Sequence, residues 1–395
     1  MNKIMMANLS YEQHYGGVEN SIRYLTQAFC EDGLQVYVLS GSYRSSTGVK
    51  QMNDFTKINF FFPGYSNFFF KIISMPVSII SMLYYLFYAK YILGVDFVIS
   101  RNQFVGTFAS LVFRRKSVFL APGFNHRQSD SENLIEGSNI FQRLERRAHG
   151  MFDYLCVRFS GRVFVFSLNM KKQLQEVLNI FNSNYQPDVM LCKPGVDKSL
   201  FKPIGSLSMK MSLRQELGIP QYDKIILCVG RCVKAKGFDL AVSSFSSSNL
   251  LGFTLVIIGD GPELPMLKEL AVKHKCTKVL FLGKQDNLHK YYQTSDFFFM
   301  SSRYEPLGQT ILEAIGCGLP VLALGGPTVL TATQELLGSD GALYSKDNSQ
   351  ESIIELLESL LTLTDSQWSD ISFQSFTKAK SFSWNNLSRK LVSGE

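Results

Sequence analysis

Short apolar runs alternate with longer amphipathic segments along almost the whole chain. The runs are rich in β-branched and aromatic residues, which is typical of parallel strands buried on both faces. The segments between them carry apolar residues at the three- and four-residue spacing of a helix. Because strands and helices alternate, the pattern predicts an α/β protein built on parallel sheets.

The predicted strands of the first half are Ile4–Ala7, Gln35–Leu39, Ile58–Phe62, Phe97–Ser100, Val118–Leu120, Val163–Phe166 and Val189–Cys192. The predicted helices there are Gly17–Asp32, Ile72–Leu93 and Met170–Ile180. The predicted strands of the second half are Ile225–Val229, Thr254–Ile258, Val279–Leu282, Phe297–Met300, Val321–Leu324 and Ala342–Tyr344. Its predicted helices lie near Asp239–Phe245, Leu264–His274, Leu288–Gln293, Gln309–Cys317 and Ser349–Leu361.

A length of 395 residues suits two domains rather than one core. The polar segment Lys198–Lys210, which contains a proline and a glycine, is the best candidate for a linker. We therefore predict two successive α/β domains, residues 1–200 and 201–380. Ligands of such sheets bind outside the carboxyl ends of the strands, so two sheets side by side make a deep cleft.

The formal net charge is +7, and the excess is concentrated in the first half. Twelve Lys or Arg stand against six acids between Arg101 and Glu176. Such a stretch can face nucleic acid, anionic lipid or a phosphorylated substrate, or it can be an ordinary solvated surface. It lacks the combined aromatic and basic signature of a nucleic-acid module, so we expect no nucleic-acid partner.

The cysteines and the apolar segments indicate a cytoplasmic protein. Seven scattered cysteines, mostly inside apolar runs, are interpreted as buried, reduced thiols with no zinc-site spacing. The apolar part of the N-terminus is too short for a signal peptide. Ile72–Leu93 approaches the length of a membrane span, but Pro76 and Lys90 interrupt it. We interpret it as a buried or membrane-facing amphipathic helix.

The strongest chemical signal lies between Ser301 and Pro320. A strand ends there, a loop presents Glu305, and a helix begins near Gly308 with Glu313 about one turn inside it. Free backbone N–H groups at a helix start can hold a diphosphate. The two carboxylates can accept hydrogen bonds from sugar hydroxyls. The alternative is a surface loop with an incidental acid.

Three further turns follow predicted strands. Arg231 and Lys236 lie after the strand that ends near Gly230, where two cations suit a pyrophosphate whose charge grows as a glycosyl bond breaks. Gly16 and Gly17 follow the first strand, and glycine lets a ligand approach the backbone closely. Gly261 occupies a similar turn, Gly259–Pro262. Solvated cations and plain turn glycines are the alternatives.

The order of these motifs resembles the retaining glycosyltransferases of family 4. The matching segments are GGVE from Gly16, KPGVDKSLFKP from Lys193, VGRCVKAKG, IIGDGPE, VLFLG and E-P-L-G-Q-T-I-L-E from Glu305. The resemblance implies the GT-B fold, in which two Rossmann-like domains face each other across a cleft. FSWNNLSRKL near the C-terminus resembles the family's closing helix, so residues 380–395 are expected to pack back on the first domain.

The resemblance also implies roles for particular residues. Arg231 and Lys236 would neutralise the donor diphosphate, Glu305 would contact the transferred sugar, and Glu313 would bind the ribose hydroxyls. The donor site is completed by backbone of Leu307, Gly308, Gln309 and Thr310, by Gly16, Gly17 and Gly261, and by Lys284 beside the base. The family's active-site histidine is expected where this chain has Pro122, and His126 is the candidate replacement.

We therefore predict a metal-independent, retaining transfer of a hexose-type sugar from a nucleotide diphosphate donor. No D-x-D triplet occurs, so no metal or other cofactor is expected. The basic, aromatic-rich first domain favours a glycan or lipid-linked acceptor, as in bacterial surface polysaccharide or lipopolysaccharide synthesis, at the inner face of the plasma membrane. A non-catalytic sugar-nucleotide or glycan-binding module and a sugar phosphorylase are the alternatives.

Overall fold

The computed structural model describes residues 2–11, 16–42, 47–63, 68–124, 140–181, 184–326, 329–339 and 341–394. The chain divides into two compact units, Met1–Lys193 with Trp384–Glu395, and Pro194–Ser383. The division falls a few residues before the predicted boundary. The roles assigned to the two domains stay predictions.

The first unit is an α/β sheet with helices between its strands. Its strands are β1 (Lys3–Ala7), β2 (Gln35–Ser42), β3 (Gly48–Gln51), β4 (Thr56–Phe61), β5 (Phe97–Ser100), β6 (Ser117–Leu120), β7 (Arg162–Val165) and β8 (Val189–Leu191). Its helices are α1 (Gly17–Glu31), α2 (Phe68–Tyr91), α3 (Gln103–Phe113), α4 (Ile140–Phe159), α5 (Leu168–Ile180) and, from the C-terminus, α14 (Trp384–Ser393).

The described strands of this unit form one sheet in the order β3-β4-β2-β1-β5-β6-β7-β8. All pairs are parallel except β3 with β4, which is antiparallel. The C-terminal helix α14 packs on α1, where the rings of Trp384 and Tyr24 stack with centroids 5.4 Å apart. The last residues of the chain are therefore part of the first unit.

The second unit repeats the pattern on a smaller sheet. Its strands are β9 (Lys224–Val229), β10 (Phe253–Ile258), β11 (Val279–Gly283), β12 (Phe297–Met300), β13 (Tyr304–Glu305), β14 (Val321–Ala323), β15 (Leu330–Thr331) and β16 (Leu343–Tyr344). Its helices are α6 (Leu207–Leu217), α7 (Phe238–Ser247), α8 (Leu264–Lys273), α9 (Leu288–Thr294), α10 (Gln309–Gly316), α11 (Thr333–Leu337), α12 (Gln350–Glu358) and α13 (Asp365–Ala379).

The main sheet of the second unit has the order β11-β10-β9-β12-β14-β16, and its pairs are parallel. Successive residues of β9 enter different cores: Ile226 belongs to the cluster on one face and Leu227 to the cluster on the other. Each is fully buried. Helices thus cover both faces, which is why these strands are continuous apolar runs in the sequence.

The predicted strands are confirmed, and Phe97–Ser100 and Phe297–Met300 match to the residue. The assignment of Lys198–Lys210 as a linker is wrong at its end, because Ser206 caps helix α6, which begins at Leu207. Strands β3, β13 and β15 and helices α3, α4, α6, α11 and α13 were not predicted. Strand β3 is largely exposed at the edge of the sheet, and α3 is buried almost all round, so neither carries the alternation of a half-buried element.

The structure bears on three expectations: the membrane-spanning helix, the state of the cysteines and the basic stretch. None of the described helices is long and apolar enough to span a bilayer. The seven cysteines are unpaired, and five of them are buried. Arg101, counted above in the basic stretch, is only 1% exposed, and its guanidinium donates to the carbonyl of Leu120 at 2.7 Å. It therefore adds nothing to a basic surface, and that part of the expectation is wrong.

Candidate active site

The order of the second sheet reverses at β9. The chain runs outward from β9 through β10 to β11 and then returns to the other side of β9 as β12. The carboxyl ends of β9 and β12 are therefore adjacent at the point where the connections diverge, which is where open α/β sheets bind ligands. The two loops that begin there contain the predicted residues Lys236 and Glu305.

The loop after β9 has a tightly fixed backbone. A 3-10 turn (Lys234–Lys236) is followed by Gly237 with a φ of +61°. A Cβ on Gly237 would lie 2.0 Å from the carbonyl oxygen of Ser301 in the loop after β12. Only glycine lets the two loops approach so closely. The close approach fixes the Lys236 backbone relative to the loop that carries Glu305.

Lys236 and Glu305 form an ion pair with each other. Glu305 is 7% exposed and ends the short strand β13, which pairs with β15. Its other carboxylate oxygen accepts a hydrogen bond from the backbone N–H of Gly308 at 3.2 Å. The backbone N–H of Gly308, expected to contribute to a diphosphate site, thus binds Glu305 in this structure, and its role at the donor stays a prediction.

The charge of Glu305 is maintained by these partners. Burial by itself raises the pKa of the carboxyl group. The Lys236 ammonium and the backbone N–H groups of Gly308 and Leu307 outweigh burial, and the pKa lies below its ordinary value. Glu305 is thus an anion near neutral pH, held between a cation and a helix start.

Glu313 lies one turn inside α10 in a different environment. It is 7% exposed, and burial raises the pKa of its carboxyl group to about 7 despite contributions from Tyr292 and Gln309 that lower it. Tyr292 is fully buried, and burial followed by the nearby Glu313 raises the pKa of its hydroxyl group. Glu313 therefore changes protonation state near neutral pH.

The remaining predicted donor-site residues of the second unit lie after β9, after β11 and at the start of α10. Arg231 is exposed and forms no ion pair with the part of the chain that the structure describes. The side chain of Gln309 donates to the carbonyl of Gly195 at 3.2 Å and so joins α10 to the KPGVD segment. Thr310 follows it in the first turn of α10, and Lys284 is exposed directly after β11.

Gly261 lies in the loop after β10, next to the loop after β9. A Cβ there would lie 2.4 Å from the carbonyl oxygen of Cys232, and its φ is +156°. The backbone N–H of Cys232 donates to the Asp260 carbonyl at 2.9 Å, so the two loops are also hydrogen-bonded. The role of Gly261 here is close backbone packing beside the site.

Gly16, Gly17 and Pro122 belong to the first unit. Gly16 and Gly17 are exposed where α1 begins after β1, and Gly16 has a φ of +113°. Pro122 lies two residues after the end of β6. His126 lies outside the described residues. Its role as a replacement histidine stays a prediction.

Two residues of the site were missed by sequence reasoning. Tyr292 has no motif around it, and only the fold places it beside Glu313. Arg303 lies two residues before Glu305, and both nitrogens of its guanidinium fork bind Asp239 at 2.7 Å. The only sequence signal for Arg303 was its position inside the segment already singled out.

The comparisons with known proteins agree with this geometry. A sequence model described as "Glycosyl transferases group 1" matches residues 209–370, the segment that holds Arg231, Lys236, Glu305 and Glu313. The match lies within the second unit, whose candidate residues Lys236 and Glu305 lie in the loops at the carboxyl ends of β9 and β12.

Two relatives extend the match by sequence. An uncharacterised glycosyltransferase of Methanocaldococcus jannaschii is 32% identical over 45% of this chain and 46% of its own length. The lipopolysaccharide core biosynthesis glycosyltransferase LpsE of Rhizobium meliloti is 35% identical over 28% of this chain and 32% of its own length. This chain therefore matches less than half the length of either relative.

Two solved structures extend the match across both units. Sucrose-phosphate synthase from Thermosynechococcus elongatus superposes with a TM-score of 0.79 at 17% identity, covering 100% of each chain. The Anabaena protein HepE, solved in complex with UDP and glucose, gives 0.75 at 16% identity and covers 100% of this chain and 99% of that one. At such identities the likeness shows the fold, which is the GT-B fold of glycosyltransferases.

Proposed function

We propose that this chain is a retaining glycosyltransferase that moves a hexose-type sugar from a nucleotide diphosphate donor to a glycan or lipid-linked acceptor. The observation that carries the proposal is the Lys236–Glu305 ion pair at the point where the sheet order reverses, beside the start of α10. A donor with an anionic diphosphate and a hydroxyl-rich sugar needs a cation and a hydrogen-bond acceptor side by side, and this pair supplies both. The group 1 family match supports the same class of reaction.

In this proposal, different residues bind different parts of the donor. Arg231 is exposed without an ion pair in the described structure and is therefore available to a phosphate oxygen. A diphosphate near Lys236 would compete with Glu305 for the Lys236 ammonium. The Glu305 carboxylate could then accept a hydrogen bond from a sugar hydroxyl. Glu313, inside the helix, would bind the ribose hydroxyls. The N–H groups of Gln309 and Thr310, at the start of α10, would add dipolar attraction for the leaving group.

The proposed reaction proceeds with retention. The acceptor oxygen forms a bond to the anomeric carbon on the face from which the diphosphate departs, and the bond from that carbon to the phosphate oxygen breaks. The proton of the acceptor hydroxyl passes to the departing phosphate oxygen, so no protein nucleophile is required. Arg231 and Lys236 would stabilise the charge that develops on the leaving group, which is the role a metal has in other enzymes.

The acceptor side of the proposal rests on helix α2. Five large side chains on one side of the helix are exposed by 47–68%: Val77, Ile80, Tyr84, Phe87 and Tyr91. Their spacing alternates between three and four residues, so they form one line, here called the α2 stripe. The opposite face is in the core, with Met82, Leu86 and Ala89 fully buried. A helix that is apolar on both faces indicates a partner for the exposed face.

The charges around the α2 stripe favour an anionic lipid surface. No acid occurs between Phe55 and Val95. Lys90 donates to the carbonyl of Val112 at 2.5 Å, which brings the end of α2 beside the exposed basic turn Arg114–Lys116. The apolar α2 stripe suits the acyl part of a lipid surface, and the cations at its end suit anionic headgroups. A second copy of the same helix would offer no acid to these cations. This arrangement supports association with the inner face of the plasma membrane, where lipid-linked acceptors of surface polysaccharide or lipopolysaccharide synthesis are glycosylated.

The test is transfer by the purified chain. UDP, GDP and ADP sugars are screened by thermal shift, because a bound donor stabilises the folded state by mass action. The best donor is then incubated with glycolipid acceptors, and the anomeric configuration of the product is read by NMR. Retained configuration supports the proposal. Binding of donor without either transfer or hydrolysis would favour the non-catalytic module, and efficient use of inorganic phosphate as acceptor would favour a phosphorylase.

A further inference from the structure

Arg303 binds two of the three backbone carbonyls of the Lys234–Lys236 turn. Its guanidinium donates to the carbonyl of Lys234 at 3.1 Å, and its backbone N–H donates to the carbonyl of Ala235 at 2.9 Å. The third carbonyl, that of Lys236, accepts from the hydroxyl of Ser301 at 2.9 Å. The segment 301–303 thus holds all three carbonyls of the turn that carries the Lys236 amine.

The guanidinium is itself fixed by an acid on the next helix. Both nitrogens of its fork bind the two oxygens of Asp239 at 2.7 Å, and Asp239 lies in the first turn of α7. A bidentate pair defines the orientation of both partners, unlike a single-point contact. The side chains of the pair are 26% and 30% exposed, so solvent screens it only partly.

A second acid explains why a cation is required at this place. One oxygen of Glu263 is buried with no hydrogen-bond partner, and burial followed by the charge of Asp239 raises the pKa of its carboxyl group. Arg303 acts in the opposite direction on that pKa. Arg303 therefore offsets the repulsion between Asp239 and Glu263.

We infer that Arg303 is a positioning residue of the proposed reaction, which fixes Lys236 and Glu305 relative to each other through its bonds to the turn and to Asp239. Arg303 is two residues from Glu305 along the chain, and its guanidinium and backbone N–H hold the turn that ends at Lys236, so one residue locates both members of the ion pair. Its guanidinium binds Asp239 and the carbonyl of Lys234, so we assign it no contact with the donor. This inference rests on the proposed function for its kinetic consequence, but its structural consequence can be measured without activity.

The structural arm of the test measures the reactivity of the Lys236 amine. Wild type, Arg303→Gln and Arg303→Lys are treated with an amine-acetylating reagent, and modification of the Lys236 peptide is followed by mass spectrometry. Arg303→Gln should expose the amine and raise its modification rate several-fold, whereas Arg303→Lys, which keeps a charge beside Asp239, should lie between. The control is Lys278→Gln. It removes an ion pair with Asp223 that lies just before the amino ends of β9 and β11, whereas Lys236 follows the carboxyl end of β9. An unchanged rate in Arg303→Gln would overturn the inference.

The kinetic arm is a double-mutant cycle with Lys236→Met. If Arg303 acts by positioning Lys236, Arg303→Gln alone should lower kcat by roughly ten- to a hundredfold, a range that a displacement of about 1 Å produces. In the Lys236→Met background, Arg303→Gln should lower kcat little further, because the Lys236 amine that Arg303 positions has been removed. Effects that multiply would show a general structural role and contradict the inference. A wild-type protein that transfers no sugar refutes the proposed function instead, and the acetylation rates still decide the role of Arg303.

Discussion

Glu305 and Glu313 stand eight residues apart in one loop and helix, and their carboxyl groups have opposite pKa shifts. Both are 7% exposed. Burial raises the pKa of each, but at Glu305 the Lys236 ammonium outweighs burial, while Glu313 has a pKa of about 7 with no cation among the groups that shift it. The two acids therefore differ in charge near neutral pH, and their replacements should differ in effect.

The first prediction separates the two acids by kinetics. Glu305→Gln should lower kcat by about tenfold or more, roughly 1.4 kcal/mol of transition-state stabilisation, with little change in donor KM. Its contact strengthens as positive charge develops at the anomeric carbon. Glu313→Gln should raise donor KM and leave kcat largely intact, because ribose hydroxyls do not change during the reaction. Steady-state kinetics with varied donor measure both.

The matched control for this experiment is Glu216→Gln. Glu216 is an exposed acid of the same unit whose carboxylate pairs with Lys290 on another helix. Its replacement should leave both constants unchanged. The reverse pattern, in which Glu313→Gln abolishes turnover at saturating donor and Glu305→Gln affects only KM, would exchange the two roles.

The second prediction concerns the pH dependence of stability. The folded pKa of Glu313, about 7, lies above its ordinary value of 4.5. Between these values the folded state retains a proton that the unfolded state releases, so the free energy of unfolding falls as pH rises, by at most about 1.4 kcal/mol per pH unit. The glutamine side chain of the Glu313→Gln variant does not titrate, so this contribution to the pH dependence is absent from the variant. Urea unfolding of both proteins across this range should show wild type losing stability relative to the variant, and a constant difference would contradict the assignment.

The third prediction is that transfer needs no divalent metal. The chain has no D-x-D triplet, and the proposed leaving-group stabilisation comes from Arg231 and Lys236. Activity measured in EDTA should equal that in buffer, and added magnesium or manganese should not raise it. Complete loss of activity with the chelator, restored by manganese, would show that this expectation is wrong.

The fourth prediction tests Arg231. A charge-assisted hydrogen bond to phosphate contributes roughly 1.5–3 kcal/mol, so Arg231→Ala should lower kcat/KM by about ten- to a hundredfold. The side chain is exposed and its removal should leave the melting temperature unchanged. The control is Lys268→Ala, which removes an exposed cation of α8. Full activity in Arg231→Ala, with a wild-type melting curve, would exclude Arg231 from the donor site.

The fifth prediction tests the α2 stripe. Co-sedimentation with vesicles should increase with the fraction of anionic lipid and decrease with salt, since exposed charges are screened beyond about 10 Å at 0.1 M. Ile80→Glu should weaken binding to every vesicle, because it places a charge in the apolar line. Arg115→Glu should weaken binding mainly to anionic vesicles.

The control for the vesicle experiment is Val272→Glu. Val272 is 76% exposed on α8 of the second unit, whereas the α2 stripe belongs to the first. Its replacement should not change sedimentation. Equal binding of wild type to neutral and anionic vesicles would exclude an electrostatic dock. Dimerisation that Ile80→Glu abolishes, without vesicle binding, would show that the stripe is a contact between copies of the chain.

The sequence predicted those parts of the site that depend on neighbouring residues. Strand β12 is a run of buried residues, and α10 begins directly after Gly308, so both ends of the segment that carries Glu305 follow from local patterns. The same holds for the turn that contains Lys236, which follows the apolar strand β9. Local periodicity failed where an element was exposed, as in β3, or buried all round, as in α3.

The sequence by itself determined the alternation of strands and helices, the order of the motifs and the residue types at the strand ends, because burial in a parallel sheet dictates the apolar runs and glycines dictate the turns. Only the tertiary structure decided that Lys236 pairs with Glu305, 69 residues away, that Arg303 holds the Lys236 turn, and that Arg101 is buried. These relationships depend on which strands become neighbours and on how far each charge is removed from water. Both are properties of the packed sheet, and no local pattern encodes them.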